Sequence, residues 1–230
     1  MRNAPMSELD DTKSRLLEAA GEEFALKGFE GATIRSICDR AKVNLAGVNY
    51  HFRNKEQLYS EAVIAAHQFR GRIALELPLE SLAPTEALRL YIYSFLKNVL
   101  EIQRDTKTWR SELMMREIFH PTEACDALVR QSIRPQFIRL RGILNRICPE
   151  ADETRLDVMA FSIVGQCLHY KMANAICQRL MTTERYVQLD LDYLTDHITG
   201  FTLAALGLAV PLDEAGRPGG VIVEATSLEG

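Results

Sequence analysis

The sequence predicts an all-α protein, on three observations. Apolar residues recur at three- and four-residue intervals in successive segments, the period of one helix face. Only 7% of the residues are aromatic. Thirteen glycines and eight prolines among 230 residues are too few for the many turns of a β-sandwich. With 47% apolar and 25% charged residues the chain is an ordinary globular protein able to bury a core, as one large domain or two small ones.

The elements follow in order. In the first helix Leu16, Leu17, Ala20 and Phe24 share a face, and Lys27-Gly28 supplies a basic last turn and a glycine to end it. Thr33 is the N-cap of a short second helix with Ile34, Ile37, Cys38 and Ala41 on one face. Lys42-Val43-Asn44 makes a turn, and Asn44 caps a third helix, Leu45 to Phe52. Asn54 and Gln57 form a capping-box-like start to a longer helix with Leu58, Ala62, Val63, Ala66 and Phe69. The second and third helices, joined by three residues, have the spacing of a helix-turn-helix.

Beyond Pro78 the segments lengthen. Pro84 opens a helix whose face is Leu88, Ile92, Phe95, Leu96 and Val99. Trp109 to Phe119 is a shorter helix stopped by His120-Pro121. Thr122 to Cys148 is another, with Leu128, Ile133, Phe137, Leu140, Leu144 and Ile147, kinked by Pro135. Pro149 to Asp152 precedes a helix running to about Leu180, and Thr182-Thr183 precedes the last one, ending near Gly207.

The last two long helices raise the question of assembly. Leu191, Leu194, Ile198, Phe201, Ala205 and Leu208 are spaced as a coiled-coil stripe. The preceding helix is apolar on more than one face, through Val158, Met159, Phe161, Ile163, Val164, Leu168, Met172 and Ile176, and so must be covered on two sides. A second copy of the chain, or the interior of a monomer, would each supply that cover.

Five widely spaced cysteines with no C-x-x-C point to free thiols in a reducing cytosol, hence a cytoplasmic protein, rather than to disulfides or zinc. No two His or Cys stand in a metal-ligand spacing, so neither metal nor cofactor is expected. MRNAPMSELDD has no apolar signal core. The longest late uncharged run, His197 to Leu212, is sixteen residues broken by Gly200, Gly207 and Pro211, short of the about 20 that a membrane span needs.

The net charge of −4 excludes a polycation, so any nucleic-acid surface must be local. From Gly31 to Ser60, Arg35, Arg40, Lys42, Arg53 and Lys55 oppose Asp39 and Glu56, a balance of +3 that leaves −7 for the rest. Such an island suits phosphate contact, although a solvated charged face would look the same. In the third helix Val48 and Phe52 turn inward, leaving Ala46, Gly47, Asn49 and Tyr50 outward. Small residues admit the backbone to base edges, Asn49 can pair with adenine, and Leu45 can meet a thymine methyl. Tyr50, His51, Lys55 and the amides of the following helix can reach phosphates.

Gly28-Phe29, Thr33 to Cys38 and the run Ala41-Lys42-Val43-Asn44-Leu45-Ala46-Gly47-Val48-Asn49-Tyr50-His51-Phe52-Arg53-Asn54-Lys55-Glu56-Gln57-Leu58 resemble the DNA-binding signature of the tetracycline-repressor (TetR) family. Asn-Leu-Ala-Gly-Val-Asn-Tyr-His-Phe is closest to the branch with a CecR-type C-terminal domain. The resemblance implies an N-terminal three-helix helix-turn-helix domain and a C-terminal helical bundle for ligand binding and dimerisation. The divisions expected are 1–53, a connecting helix at 54–78 and the ligand and dimer domain at 79–210, and the Gly- and Pro-rich stretch 211–230 reads as a flexible tail. The resemblance further implies a homodimer joined by its last two helices and a regulator, usually a repressor, released from a palindromic DNA operator by a small-molecule effector.

By position, Thr33, Tyr50, His51 and Lys55 match phosphate contacts, and Leu45, Ala46 and Asn49 match base-reading places. Arg35, Asn44 and Gly47 complete the expected DNA-binding set. Phe161, Val164, Leu168, Leu191, Leu194, Ile198, Phe201 and Ala205 are the expected dimer interface. Lys42 stands where many members have Gly, Leu45 where many have Lys, Arg or Gln, and Asn49 where many have Tyr. These differences bear on the operator sequence, not on the binding of DNA.

For the effector, Trp109, Met115, Arg116, Phe119, Phe137, His169 and Tyr170 are the candidates, beside Met114, Cys167 and Met172. Each is more often plain core than a ligand contact. Arg116, taken as buried, calls for a partner near Glu117 or an acidic ligand. An enzyme is not expected, since no G-x-S-x-G, P-loop, H-E-x-x-H or dinucleotide fingerprint occurs. The island and the turn argue against a helical adaptor that no longer reads DNA.

Overall fold

The structure, a computed structural model, describes residues 6–71, 78–104 and 109–208. Helix α1 (Met6–Gly31), α2 (Ile34–Ala41), α3 (Leu45–His51) and α4 (Lys55–Gly71) come first. A 3-10 turn at Leu79–Ser81 leads to α5 (Pro84–Arg104), then α6 (Trp109–Phe119) and α7 (Glu123–Leu128). A π turn, Val129–Ile133, joins α7 to α8 (Arg134–Ile147), followed by α9 (Glu153–Met172), α10 (Asn174–Leu180), α11 (Thr183–Tyr186) and α12 (Leu191–Ala205). Among the described residues every regular element is helical, and no helix is long and apolar enough to cross a membrane.

Packing gathers these elements into two units, one of Met1–Arg72 with Asp105–Pro135, the other of Ile73–Arg104 with Gln136–Gly230. The divisions expected at 53/54 and 78/79 follow chain order; the packing does not. α4 and the later α6 and α7 bury their apolar faces with the three N-terminal helices.

The core of the first unit joins Leu16, Ala20 and Phe24 of α1, Ile37 and Ala41 of α2, Val48 of α3, Leu58, Ala62 and Val63 of α4, Trp109 and Leu113 of α6, and Leu128 of α7. α1 breaks where Lys27-Gly28 predicted an end, and resumes as far as Gly31. Gly28 sits at φ 74°, ψ 176°, open to glycine at little cost, and one further turn closes through Ala32 N–H to the Gly28 carbonyl at 3.2 Å. α6 lies against α1 through polar ties. Arg110 grips Glu18 with two nitrogens at 3.1 and 2.6 Å, and Arg116 donates to the Ala25 carbonyl at 3.2 Å.

The second unit buries Leu88, Ile92 and Leu96 of α5, Leu140, Ile143 and Leu144 of α8, Leu156, Ala160, Ile163 and Cys167 of α9, and Leu194, Ile198 and Leu203 of α12. Burial pushes the Cys167 thiol up to about 12.

Three expectations are corrected. The segment Thr122 to Cys148 is helical but carries the π turn, in which Arg134 N–H reaches back five residues to the Val129 carbonyl. The widened turn precedes Pro135, whose ring and missing N–H cannot continue an α ladder. It also brings Ser132 inward and leaves Ile133 outward. The helix expected to run to Leu180 breaks at Ala173 (φ −99°, ψ 12°) into α9 and α10. The last helix starts not after Thr183 but at Leu191, where the Asp190 side chain accepts Tyr193 N–H at 2.8 Å. The tail 211–230 and the Phe69 side chain lie outside the described residues.

Trp109 of α6 packs directly over Gly21 of α1. A methyl group there would stand 2.2 Å from the indole carbons of Trp109. Gly21→Ala therefore costs about 1–3 kcal/mol of stability through overpacking, despite alanine's better helix propensity, measurable as a shift of the denaturant midpoint.

Candidate nucleic-acid interface

Three side-chain caps build the helix-turn-helix. Thr33 Oγ1 accepts Ser36 N–H at 3.1 Å while Ser36 Oγ accepts Thr33 N–H at 3.3 Å, a reciprocal box at the start of α2. Asn44 Oδ1 accepts Gly47 N–H at 2.9 Å and starts α3. Asn54 Oδ1 accepts Gln57 N–H at 2.8 Å, and Gln57 Oε1 accepts Arg53 N–H at 3.1 Å, which starts α4. Between α2 and α3, Lys42 closes the turn at φ 56°, ψ 40°; it is the only non-glycine residue at positive φ among the described residues.

α3 turns Val48 into the core, with Phe52 buried just beyond it. Leu45 and Tyr50 are 58% and 70% exposed, and Ala46 and Asn49 are exposed beside them. That outward row offers an apolar tip, a small residue, an amide and a phenol, the functional groups that read and straddle a groove. The Tyr50 ring stands edge-on to half-buried His51 at 5.0 Å. Gly47 does not join this row. A methyl group there would lie 2.5 Å from Val43 Cγ1, so the missing side chain lets α3 sit against its own turn.

Around the row, Thr33, Arg35, Lys42 and Arg53 are exposed and Lys55 is half-buried. Lys55 Nζ lies 4.6 Å over the Phe29 ring and donates to the Glu30 carbonyl at 3.5 Å. Arg40, the remaining cation of the island, is spent on α1. It pairs with Glu22 at 2.7 Å and reaches Glu23 at 3.5 Å. The Lys27 ammonium at 2.8 Å, foremost, and Arg40 hold the buried Glu23 carboxyl below its ordinary value against the opposing effect of burial. Two acids at the end of α1 are thus neutralised by neighbours, while among the described residues Arg35, Lys42 and Arg53 are exposed and form no such ion pair.

The other candidates scatter. Trp109, Met115, Arg116 and Phe119 belong to the first unit, and Phe137, His169 and Tyr170 to the second. Trp109 is core, Met115 is half-buried, and Phe119 is 59% exposed. Arg116 is exposed rather than buried; the buried member of that pair is Glu117. Phe137 stacks on Phe161 at 5.1 Å, His169 is exposed with Nε2 3.7 Å from Cys177 Sγ, and Tyr170 is half-buried.

Of the residues expected at a dimer interface, Leu194 and Ile198 are instead in the second unit's own core. Leu191, Val164 and Leu168 are half-buried, whereas Phe161, Phe201 and Ala205 are exposed. The stripe runs along the border between the buried and the exposed face of α12, so its members fall on both sides of it. The outward lines are Val158, Phe161, Gly165 and Met172 on α9, and Tyr193, His197, Phe201 and Ala204 on α12.

Known proteins share both halves. Residues 84–206 match the family model of the C-terminal domain of the HTH-type transcriptional dual regulator CecR, and residues 16–62 match that of the bacterial regulatory proteins of the tetR family. The "HTH-type transcriptional dual regulator CecR" of Shigella flexneri is 26% identical over 172 residues, 71% of this chain and 77% of the relative. The "Probable acrEF/envCD operon repressor" of Escherichia coli (strain K12) is 27% identical over 165 residues, 67% of this chain and 71% of the relative. A solved TetR-like transcriptional regulator from Rhodococcus sp. RHA1 shares the fold, with a TM-score of 0.55 at 17% identity over 89% of this chain and 99% of that one.

The left-handed Lys42 carries strain that glycine would not. Lys42→Gly is expected to raise stability by about 0.5–1 kcal/mol, the relief of the Cβ clash less the added freedom of the unfolded chain. Equilibrium denaturation measures it, and a loss of stability would show that the lysine stem offsets the strain.

Proposed function

The chain belongs to the TetR-family bacterial regulators with a CecR-type C-terminal domain, and on that premise we propose that it is a homodimeric repressor, reading a palindromic operator in the cytoplasm and released by a small-molecule effector. The observation that carries this reading is the exposed row Leu45, Ala46, Asn49 and Tyr50 on α3, set among the exposed cations Arg35, Lys42 and Arg53.

In this mechanism α3 enters the major groove. Asn49 pairs with an adenine edge and Leu45 packs on a thymine methyl. Thr33, Arg35, Tyr50, His51 and Lys55 hold phosphates, which fixes the register without reading sequence. Asn44 and Gly47 act through the backbone, one as a cap and the other as a close contact with Val43. Two copies join across the outward lines of α9 and α12. Phe161 and Phe201 are 63% and 60% exposed in the single chain, a cost in water that a second copy removes. Gly165 has nothing within 4 Å of where a side chain would be, which leaves room for close helix approach.

The effector contacts proposed for the second unit are Phe137, His169 and Tyr170. Binding there shifts the equilibrium between a spacing of the two α3 helices that fits successive major grooves, roughly 34 Å, and one that does not. Only a difference in effector affinity between the two states can drive that shift.

Selection from a randomised duplex pool tests DNA reading. The expected product is a palindrome bound with affinity that falls steeply as salt rises. Asn49→Ala should lose about 1–3 kcal/mol of discrimination at one position of each half-site, and Tyr50→Ala should weaken every sequence alike. An unenriched pool would overturn the proposal. For assembly, Phe161→Glu combined with Phe201→Glu should reduce the mass in solution to that of one 26.0 kDa chain, measured by light scattering. Unchanged mass would place the dimer contact elsewhere.

A further inference from the structure

The core of the first unit contains a carboxylate that the reading above leaves unused. Glu117 on α6 is 1% exposed. Its Oε2 accepts from the Tyr59 hydroxyl at 2.9 Å, and its Oε1 accepts from Thr122 N–H at 2.8 Å and from Thr122 Oγ1–H at 3.0 Å. No ion pair to it occurs among the described residues. A buried carboxylate held only by neutral donors is a poor way to gain stability, because an apolar side chain of similar volume avoids the desolvation cost. Its hydrogen bonds do, however, fix direction.

They fix Tyr59. Its ring, 2% exposed, stands edge-on to Phe24 at 4.9 Å and edge-on to Phe29 at 5.1 Å. Burial foremost, then the Glu117 hydrogen bond, pushes the phenol above its ordinary range, so it remains a donor at any working pH. Phe29 in turn supplies the face under the Lys55 ammonium. Lys55 and Tyr59 are four residues apart on α4, so both meet Phe29 from one helix face. An unbroken path of contacts thus runs from a carboxylate on α6 to a cation at the edge of the DNA-reading surface.

We propose that Glu117 and Tyr59 are positioning residues for Lys55, holding Phe29 and with it the ammonium where it meets a phosphate. This rests on the DNA-binding reading and adds that α6, far along the chain, sets the strength of one phosphate contact.

The experiment is a double-mutant cycle on a duplex selected from a randomised pool by the unsubstituted protein. Active protein is counted by stoichiometric titration, and affinity is followed across a salt series. Lys55→Ala should weaken binding about tenfold and lower the salt slope by about one, as the loss of one phosphate contact requires. Tyr59→Phe keeps the ring and removes only the hydroxyl. It should weaken binding about fivefold and remove part of the same unit of slope, and Glu117→Gln should act in the same direction. In the Lys55→Ala background Tyr59→Phe should change affinity less than about twofold, whereas with Thr33→Ala its effect should multiply. A merely structural hydroxyl would lower the melting temperature and the active fraction, leave the slope alone, and multiply with Lys55→Ala. That pattern would overturn the inference. If the unsubstituted protein selects no duplex, the DNA-binding reading falls and this inference with it.

Discussion

Helix α1 is the reference against which the whole first unit is placed. Its Leu16, Ala20 and Phe24 face the helix-turn-helix core, and its Glu22 and Glu23 hold α2 through Arg40. On a different side Glu18, the bare Gly21 and the Ala25 carbonyl receive Arg110, Trp109 and Arg116 of α6. One rod therefore carries two sets of partners, and neither can shift without the other responding. Interiors packed to near-crystalline density transmit such displacements rather than absorb them.

What the sequence made legible follows from how local each cause is. Thr33, Asn44 and Asn54 were readable as caps because the group each satisfies lies three residues away. The limits of α6 were readable because His120-Pro121 ends a helix by itself. The break at Ala173 carries no glycine or proline, and nothing nearby announces it. The membership of α6 and α7 in the first unit depends on contacts tens of residues apart. The Glu117–Tyr59 bond spans 58 positions, and no local pattern encodes it.

The outward row of α3 and the apolar stripe of α12 diverge for a related reason. On α3, seven residues long, inward and outward positions follow directly from Val48, and only Gly47 is misplaced. On α12 the stripe lies along the border between two faces, so Leu194 and Ile198 turn to the chain's own interior while Phe201 faces out. α9 shows both sides at once. Leu156, Ala160, Ile163 and Cys167 are buried, and Val158 and Phe161 opposite them are exposed. That this helix is apolar on two faces is legible in the spacing of its residues; which face meets the chain's own core is not.

The left-handed backbone of Lys42 has a consequence for how the turn is held. A residue with a Cβ enters that conformation only when its surroundings enforce it. The bend between α2 and α3 is therefore dictated by the neighbours it joins and not nucleated by its own three residues. A peptide excised from this stretch would hold the bend less well than the intact chain does, because the flanking helices that enforce it would be gone.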